Sequence, residues 1–258
     1  MKKLIVLGAG ESGVGTAVLA SQKGYEVFVS DRGTIGTNYR KTLEDYNIEF
    51  EEEMHSEDRI LKADLIMKSP GIPETVPLVK KVRKKKIPIV SEIEFAYPYC
   101  DGKIIGITGS NGKTTTTHLT YHIFKTAGYN VGMAGNVGIS FAYMLATDPK
   151  DYYILEVSSF QLDDINQFKC DVSILLNIVP DHLDRYDYKM SAYVESKFRI
   201  TNNQKGEDIF IYSEDDSEIQ NYLSTNKSTI KSTMYPFSIK KKIERGAYIH
   251  QENLILNT

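Results

Sequence analysis

The stretch of sequence best suited to chemistry is a glycine-rich loop at residues 106–115, which reads GITGSNGKTT. It lies between an apolar strand-like run and a Thr-rich helix start, where a phosphate-binding P-loop belongs. Backbone N–H groups of such a loop cradle phosphates, Lys113 would reach the β- and γ-phosphates, and the Thr114 hydroxyl would meet Mg²⁺. The strict G-x-x-x-x-G-K-[ST] spacing is not kept, since Ile107 stands at the first glycine position and the nearest glycine is Gly106. We nevertheless predict a nucleotide-binding loop.

Polar residues follow two further apolar runs. Glu156 closes the run at 152–156, and a carboxylate there can join Thr114 on the magnesium. The segment NIVPDHLDRY at 177–186 follows the next strand-like run. Because open α/β sheets bind ligands at the carboxyl ends of their strands, we expect these residues to converge with the glycine-rich loop. The alternatives are a solvated carboxylate at Glu156 and a mixed-charge surface loop at 177–186.

A second glycine motif, GAGESG at residues 8–13, has the G-x-G-x-x-G form at a strand-to-helix turn. The glycines permit a tight turn, and the helix N-terminus offers N–H groups to a diphosphate. Asp31 ends the next strand-like run, at the distance expected for a ribose contact. A dinucleotide is the first interpretation, a different diphosphate such as a nucleotide sugar is the second, and a structural glycine turn is the third.

Two other patterns favour ordinary structure over function. His118 and His122 have a zinc-like i, i+4 spacing, but Leu119 stands where a catalytic Glu belongs, so a structural pair on a helix face is favoured. Residues 80–86, KKVRKKK, resemble a nucleic-acid patch, yet such charge blocks usually form the solvated face of a surface helix.

The strand and helix patterns around these motifs predict two α/β domains. The runs at 3–7, 26–30, 64–67 and 87–90 predict strands, with helices at 13–23 and 77–86 between them. The pattern restarts with strands at 103–108, 152–157 and 172–177, a helix at 114–126, and weaker strands at 209–212 and 229–236. We predict an α/β protein, with a Rossmann-like parallel-sheet domain at 1–93 and a P-loop-type domain at 94–258.

Composition excludes several classes of protein. The 258 residues are 41% hydrophobic and 25% charged, as expected of a globular protein and not of a disordered or coiled-coil chain. The net charge of −3 gives no general attraction to nucleic acid or to an anionic membrane. No apolar run is long enough for a bilayer, the first residues do not form a secretory signal, and two cysteines make no disulfide framework. We expect a cytoplasmic monomer.

Taken together, the motifs resemble those of the Mur ligases. The resemblance covers residues 4 to about 200 and rests on seven segments in the expected order. They are KSPGIP (68–73), PIVSEIEF (88–95), GITGSNGKTTTT (106–117), AGNVG (134–138), LEVSSFQL (155–162), NIVPDHLDRY (177–186) and YVESKFRI (193–200). The SSFQL segment points to the members that attach D-glutamate to UDP-N-acetylmuramoyl-L-alanine.

The resemblance implies an ATP-dependent amide ligase of peptidoglycan precursor synthesis. The γ-phosphate of ATP would pass to the substrate carboxylate, and the amine of D-glutamate would attack the acyl phosphate. Lys113, His182 and Lys197 are the implied catalytic residues. The implied ATP contacts are Gly109, Ser110, Asn111, Gly112, Lys113, Thr114 and Thr115.

The remaining implied contacts concern magnesium and the UDP-sugar. Thr114, Glu156, His182 and Lys197 would bind Mg²⁺, the last as an N-carbamate, since a free ammonium would repel the ion. The implied substrate contacts are Gly10, Glu11, Ser12, Asp31, Arg32, Gly71, Asn136, Ser158, Ser159 and Gln161. The resemblance thereby replaces a nicotinamide cofactor at the first glycine motif with a uridine diphosphate.

One departure concerns the end of the chain. Mur ligases have a third, C-terminal domain and a His-Asn motif late in the central domain, and neither is matched here. We therefore expect a fragment that binds substrate without completing ligation. Another Mur ligase, a folylpolyglutamate-synthase relative and a nicotinamide-dependent oxidoreductase remain alternatives.

Overall fold

The computed structural model describes residues 1–257, which fold into two compact αβ units. The first unit contains Met1–Asp101, Ala134–Lys150 and Asp163–Gln167. The second contains Gly102–Met133, Asp151–Leu162 and the described residues from Phe168 onward. Each unit is therefore built from several segments of the chain. The predicted boundary between residues 93 and 94 stays a prediction.

The N-terminal part of the chain alternates strands and helices. Its elements are β1 (Lys3–Leu7), α1 (Glu11–Gln22), β2 (Glu26–Ser30), α2 (Thr37–Asp45), β3 (Glu49–Glu51), α3 (Glu57–Ile60), β4 (Leu65–Lys68), α4 (Pro77–Lys84), β5 (Ile89–Val90) and α5 (Glu92–Ala96).

The alternation continues to the end of the described chain. The elements are β6 (Lys103–Thr108), α6 (Lys113–Thr126), β7 (Val131–Gly135), α7 (Phe141–Thr147), β8 (Tyr152–Glu156), α8 (Ser159–Asp163), β9 (Val172–Leu175), α9 (Met190–Phe198), β10 (Ile209–Ser213), α10 (Ser217–Asn226), β11 (Thr233–Ser238), β12 (Gly246–His250) and β13 (Asn253–Asn257).

The first sheet is parallel and has the order β3-β2-β1-β4-β5. The central strand β1 is buried along Leu4–Leu7 because helices cover the sheet, which explains its continuous apolar run. The order reverses at β1, so the glycine turn that follows β1 lies at the topological switch point. The ends of β2 and β4 flank that turn.

The second sheet has the order β13-β12-β11-β10-β9-β6-β8-β7. Strand β6 lies between β8 and β9, with parallel pairing on both sides. The glycine-rich loop after β6 therefore emerges between the carboxyl ends of β8 and β9. The pair β12–β13 is antiparallel and forms one edge of the sheet.

The predicted α/β class, with a Rossmann-like sheet and a P-loop-type sheet, is confirmed. The strands predicted at 3–7, 26–30 and 103–108 have the predicted bounds. The sequence patterns missed α2 and α7, and they also missed β12 and β13, which turn the second sheet from parallel to mixed. No helix among residues 1–257 combines the length and the apolar character that crossing a bilayer requires.

Candidate functional site

The glycine-rich loop after β6 is clamped by the segment that follows β9. Asn177 grips the loop twice, since its Oδ1 accepts from Asn111 N at 2.8 Å and its Nδ2 donates to Asn111 O at 3.0 Å. Ser110 N donates to Asn177 O at 2.9 Å, and the Ser110 hydroxyl donates to Val179 O at 2.9 Å. The loop is therefore held in shape before any ligand arrives.

The loop turns into α6 at Gly112, whose φ of +81° is a left-handed conformation that favours glycine. The helix begins at Lys113, so the N–H groups of its first turn, which includes Thr114 and Thr115, have no acceptor within the helix. These N–H groups and the positive end of the helix dipole form an anion-binding terminus.

Gly106, which stands one position before the expected glycine, has a packing role. A Cβ there would lie 2.4 Å from the Sγ of the buried Cys170. This clash explains why glycine is found inside β6.

Two lysines point at the same carbonyl oxygen of this loop. Lys113 Nζ donates to Gly109 O at 2.8 Å and to Ser110 O at 3.0 Å, and Lys197 Nζ donates to Gly109 O at 2.9 Å. Lys197 lies on α9 and is only 2% exposed. Burial, reinforced by the charge of Lys113, lowers the pKa of Lys197 to about 7, and Asp181 opposes this shift. The Lys113 ammonium therefore supplies positive charge where phosphates would bind, and Lys197 adds to it only in its protonated form.

The oxygen donors near the loop suit a hard divalent cation. Thr114 lies in the first turn of α6, and Glu156 ends β8 beside Ile107 of β6, only 2% exposed. Carboxylate and hydroxyl oxygens are ligands that Mg²⁺ prefers, usually together with substrate phosphates. Among residues 1–257 no three His, Cys, Asp or Glu side chains form a metal cluster. The donor set therefore fits a magnesium shared with a nucleotide and not an all-protein cage.

His182 lies in an exposed aromatic group. Its backbone φ is +48°, its side chain is 60% exposed, and its ring centroid lies 5.5 Å from that of Phe160. The Arg185 guanidinium carbon lies over the Phe160 ring, 4.4 Å from its centroid. The imidazole and the guanidinium are thus both held by one aromatic side chain and remain accessible to a ligand.

The SSFQ segment forms a capping box at the start of α8. Gln161 N donates to the Ser158 hydroxyl at 3.3 Å, and Ser158 N donates to Gln161 Oε1 at 3.0 Å. Ser159 O accepts from the Ser196 hydroxyl of α9 at 3.0 Å. Ser159 and Gln161 are both buried, and the Gln161 side chain has a structural role in this capping box in addition to the predicted substrate contact.

In the first unit, the glycine turn after β1 is built around close contacts. A Cβ at Gly13 would lie 1.8 Å from Gly8 O, so only glycine lets α1 start this close to β1. Asp31 binds the turn directly, because its Oδ2 accepts from Ala9 N at 2.6 Å while its Oδ1 accepts from Gly33 N at 2.7 Å. The Asp31 carboxylate therefore stiffens the turn, which sequence reasoning did not anticipate.

A cavity of about 630 Å³ opens next to this turn. Its walls come from α1, α2 and α7 and combine two tyrosine rings with small polar side chains. The lining residues are Glu11, Val14, Gly15, Gly36, Thr37, Asn38, Tyr39, Thr42 and Tyr143. Such a mixture suits a flat polar ring. The sequence patterns missed it because they predicted neither α2 nor α7.

The other predicted substrate contacts of the first unit lie in loops or in the first turn of α1. Gly10 and Glu11 are exposed where α1 begins, Ser12 follows in its first turn, and Arg32 and Gly71 are exposed after β2 and β4. Asn136 is exposed in the loop 135–139 between β7 and α7. The roles of all predicted site residues stay predictions.

Comparison with family models gives two matches that together span most of the chain. The model described as the Mur ligase middle domain matches residues 107–257, and the model described as the MurD N-terminal domain matches residues 3–76. The first match alone covers more than half of the chain.

Curated proteins similar to the chain bear the name UDP-N-acetylmuramoylalanine–D-glutamate ligase. The protein from Christiangramia forsetii is 53% identical over 255 residues, covering 99% of this chain and 57% of that protein. The protein from Bacteroides fragilis is 52% identical over 256 residues, with the same two coverages. The chain thus spans about 57% of the length of these relatives.

Among solved structures, the fold is similar to that of a Neisseria UDP-N-acetylmuramate:L-alanyl-gamma-D-glutamyl-meso-diaminopimelate ligase. The TM-score is 0.68 at 17% identity, with coverage of 100% of this chain and 85% of that one. At this identity the likeness concerns the fold alone.

Proposed function

The chain belongs to the Mur ligase family, and we propose that it binds the UDP-sugar and ATP in the reaction that joins D-glutamate to UDP-N-acetylmuramoyl-L-alanine. The observation that carries the proposal is the presence of two glycine turns suited to phosphates, one at the switch point of the first sheet and one after β6 of the second. The choice of substrate is supported by the Christiangramia forsetii protein, which is named a UDP-N-acetylmuramoylalanine–D-glutamate ligase and is 53% identical over 99% of this chain.

In the proposed reaction, an oxygen of the L-alanyl carboxylate attacks the γ-phosphorus of ATP and ADP leaves, which gives an acyl phosphate. The amine of D-glutamate then attacks the acyl carbon, and phosphate leaves as the amide forms. Both steps bring anions together, so cations and N–H groups must neutralise the developing charge. Lys113, the first turn of α6 and His182 are the groups we assign to that role.

Magnesium would be held by Thr114 and Glu156, with His182 at a second ion. When bound, it would neutralise charge on the phosphates. The position of both oxygen donors around the end of β6 supports this assignment.

We expect Thr114→Val to weaken binding of Mg-ATP about tenfold, because valine keeps the shape of threonine and lacks the ligand oxygen, a loss of about 1.4 kcal/mol. The affinity for ATP without magnesium should stay the same. Calorimetric titrations with and without Mg²⁺ measure both. The control is Thr120→Val on the same helix, whose hydroxyl donates to Thr116 O at 2.8 Å. Equal Mg-ATP affinity in the Thr114 variant and the wild type would remove Thr114 from the site.

Lys197 is proposed to carry an N-carbamate. Its amine would add to the carbon of CO₂ and release one proton, which turns a cation into an anion that a second magnesium tolerates. The support is the buried setting of Nζ beside Lys113, where two ammonium groups repel each other.

The first unit is proposed to bind the uridine diphosphate. The diphosphate would lie on the turn at Gly10–Ser12, and the adjoining cavity with Tyr39 and Tyr143 has the size and aromatic walls for the uracil ring. Asn136 would contact the sugar. A cytoplasmic location, a monomeric state and the inability of these 258 residues to ligate D-glutamate stay predictions.

Calorimetric titration of the chain tests the proposed function. We expect saturable 1:1 binding of UDP-N-acetylmuramoyl-L-alanine and no binding of NADH. Tight NADH binding with no response to the UDP-sugar would contradict the proposal and favour an oxidoreductase. Tighter binding of a folate than of the UDP-sugar would favour the folylpolyglutamate-synthase alternative.

A further inference from the structure

A buried carboxylate joins the two loops that the proposed function assigns to the UDP-sugar. Glu92 begins α5 and is fully buried, with 0% exposure. Its Oε1 accepts from the Ser140 hydroxyl at 2.5 Å and from Ala142 N at 3.1 Å, both at the start of α7. Its Oε2 is buried and makes no hydrogen bond among the described residues, but Ser12, in the first turn of α1, is near enough to favour the charged form of the carboxyl and to oppose the rise of its pKa. One side chain therefore touches the starts of two helices.

The starts of α1 and α7 approach each other unusually closely at this point. A Cβ on Gly15 would lie 1.9 Å from the Ser140 hydroxyl oxygen, so a larger residue would separate the helices. A second carboxylate crosses the same gap, since Glu11 Oε1 accepts from Ser140 N at 2.9 Å. The geometry of the gap is thus fixed by packing and by hydrogen bonds together.

Each of the two helices continues directly from a proposed contact loop. The helix α1 follows the glycine turn, which we assign to the diphosphate, and α7 follows the loop 135–139 with Asn136, which we assign to the sugar. Any change in how α7 docks on α1 therefore changes the distance between the two parts of the substrate site.

We propose that Glu92 is a positioning residue, which holds the Asn136 loop in register with the glycine turn so that one UDP-sugar molecule can engage both. The proposal rests on the proposed function, because it takes the ligand of both loops from there. Glu92 touches no substrate atom and acts through Ser12, Ser140 and Ala142.

Burying the Glu92 carboxyl opposes folding because the charged group loses its contact with water, so we infer that it does more than fill space. Burial raises the pKa of Glu92, although Ser12, Ser140 and the N–H groups of Ala142 and Phe141 favour its charged form. A buried carboxyl that only packs would be replaced by an apolar side chain at no cost. Its Oε1 instead satisfies two donors at the start of α7, the Ser140 hydroxyl and Ala142 N.

Glu94 offers a matched control on the same helix. It is also buried, at 7% exposure, and its carboxylate accepts from Asn166 N at 2.8 Å and Gln167 N at 2.9 Å. It therefore anchors the segment 163–167 and does not reach the starts of α1 and α7 through these bonds. Glu94→Ala removes a buried carboxylate from α5 without touching the contacts of Glu92.

The test compares two probes on the 258-residue chain, UDP and UDP-N-acetylmuramoyl-L-alanine. The dissociation constant of UDP divided by that of UDP-N-acetylmuramoyl-L-alanine reports how much the sugar-peptide part adds to affinity. We expect Glu92→Ala to reduce this ratio about tenfold, because the two loops lose their register, whereas Glu92→Gln should stay within about threefold since its amide oxygen can still accept from Ser140 and Ala142. Glu94→Ala should keep the wild-type ratio.

Binding of UDP alone should be unchanged in every variant, which shows that the first unit is folded. An unchanged ratio in a folded Glu92→Ala variant would overturn the inference, as would an equal loss in Glu94→Ala. If Glu92→Ala does not fold, Ser140→Ala decides, and an unchanged ratio there overturns the inference. If the wild-type chain binds neither probe, the proposed function itself is wrong and the inference falls with it.

Discussion

Replacing Lys113 with alanine is expected to weaken binding of Mg-ATP to this chain about 100-fold, the effect of losing a charged donor worth about 1.5–3 kcal/mol. The ammonium lies over the glycine-rich loop, where it donates to Gly109 O and Ser110 O. An arriving phosphate would offer it stronger, charged acceptors. The variant keeps the loop itself, because Asn177 and Ser110 still hold it.

The matched control for this prediction is Lys125→Ala. Lys125 lies in the last turn of the same helix, so the change in net charge is the same while the distance to the loop is large. We expect the control to bind Mg-ATP within about twofold of the wild type, since a screened surface charge contributes little at this range. Similar losses in both variants would mean that overall charge, and not a contact of Lys113, governs binding.

A second large effect is expected for Gly13→Ala in the first unit. The new Cβ would lie 1.8 Å from Gly8 O. To relieve this clash, the backbone of the turn or of α1 would have to move, which would disrupt the packing of α1 against β1. We expect a loss of about 4 kcal/mol in the free energy of unfolding, at the upper end for single substitutions. Thermal unfolding followed by circular dichroism should show a midpoint about 15 °C lower for this unit.

Gly10→Ala separates this clash from a general effect of adding a methyl group to the turn. A Cβ at Gly10 has no heavy atom within 4 Å, and its φ of −82° is open to any residue. We expect the control to lose less than about 1 kcal/mol, the range of N-cap changes. A Gly13 variant that is as stable as the Gly10 variant would show that the turn can relax.

Sequence predicted best what is local and repeated. The strands β1, β2 and β6 are continuous apolar runs because both faces of a parallel sheet are buried, and their bounds follow from the run itself. Both glycine motifs were visible because backbone approach to a phosphate leaves few choices of residue. Their neighbours in space followed from one rule, that parallel strands end on the same edge.

What sequence could not give depends on partners far along the chain. The clamp between Asn177 and Asn111 joins residues 66 positions apart. No sequence pattern predicts that an asparagine after a strand will bind a loop so far away. The capping box at Ser158 and Gln161 is visible in the sequence as S-x-x-Q, but the family resemblance implies only substrate contacts for these residues. The cavity was missed because it needs α2 and α7, two short helices that the sequence patterns did not predict.

The division of the first unit among three chain segments bears on how chains of this family can be recombined. Cutting after Asp101 would discard the segments 134–150 and 163–167, and with them the partners of two buried carboxylates, Glu92 and Glu94. Without those donors, an isolated N-terminal piece would be destabilised because its buried carboxylates would have lost their hydrogen-bond partners. A functional chimera with a related ligase would therefore require three grafts, exchanged as a set, and not a single splice.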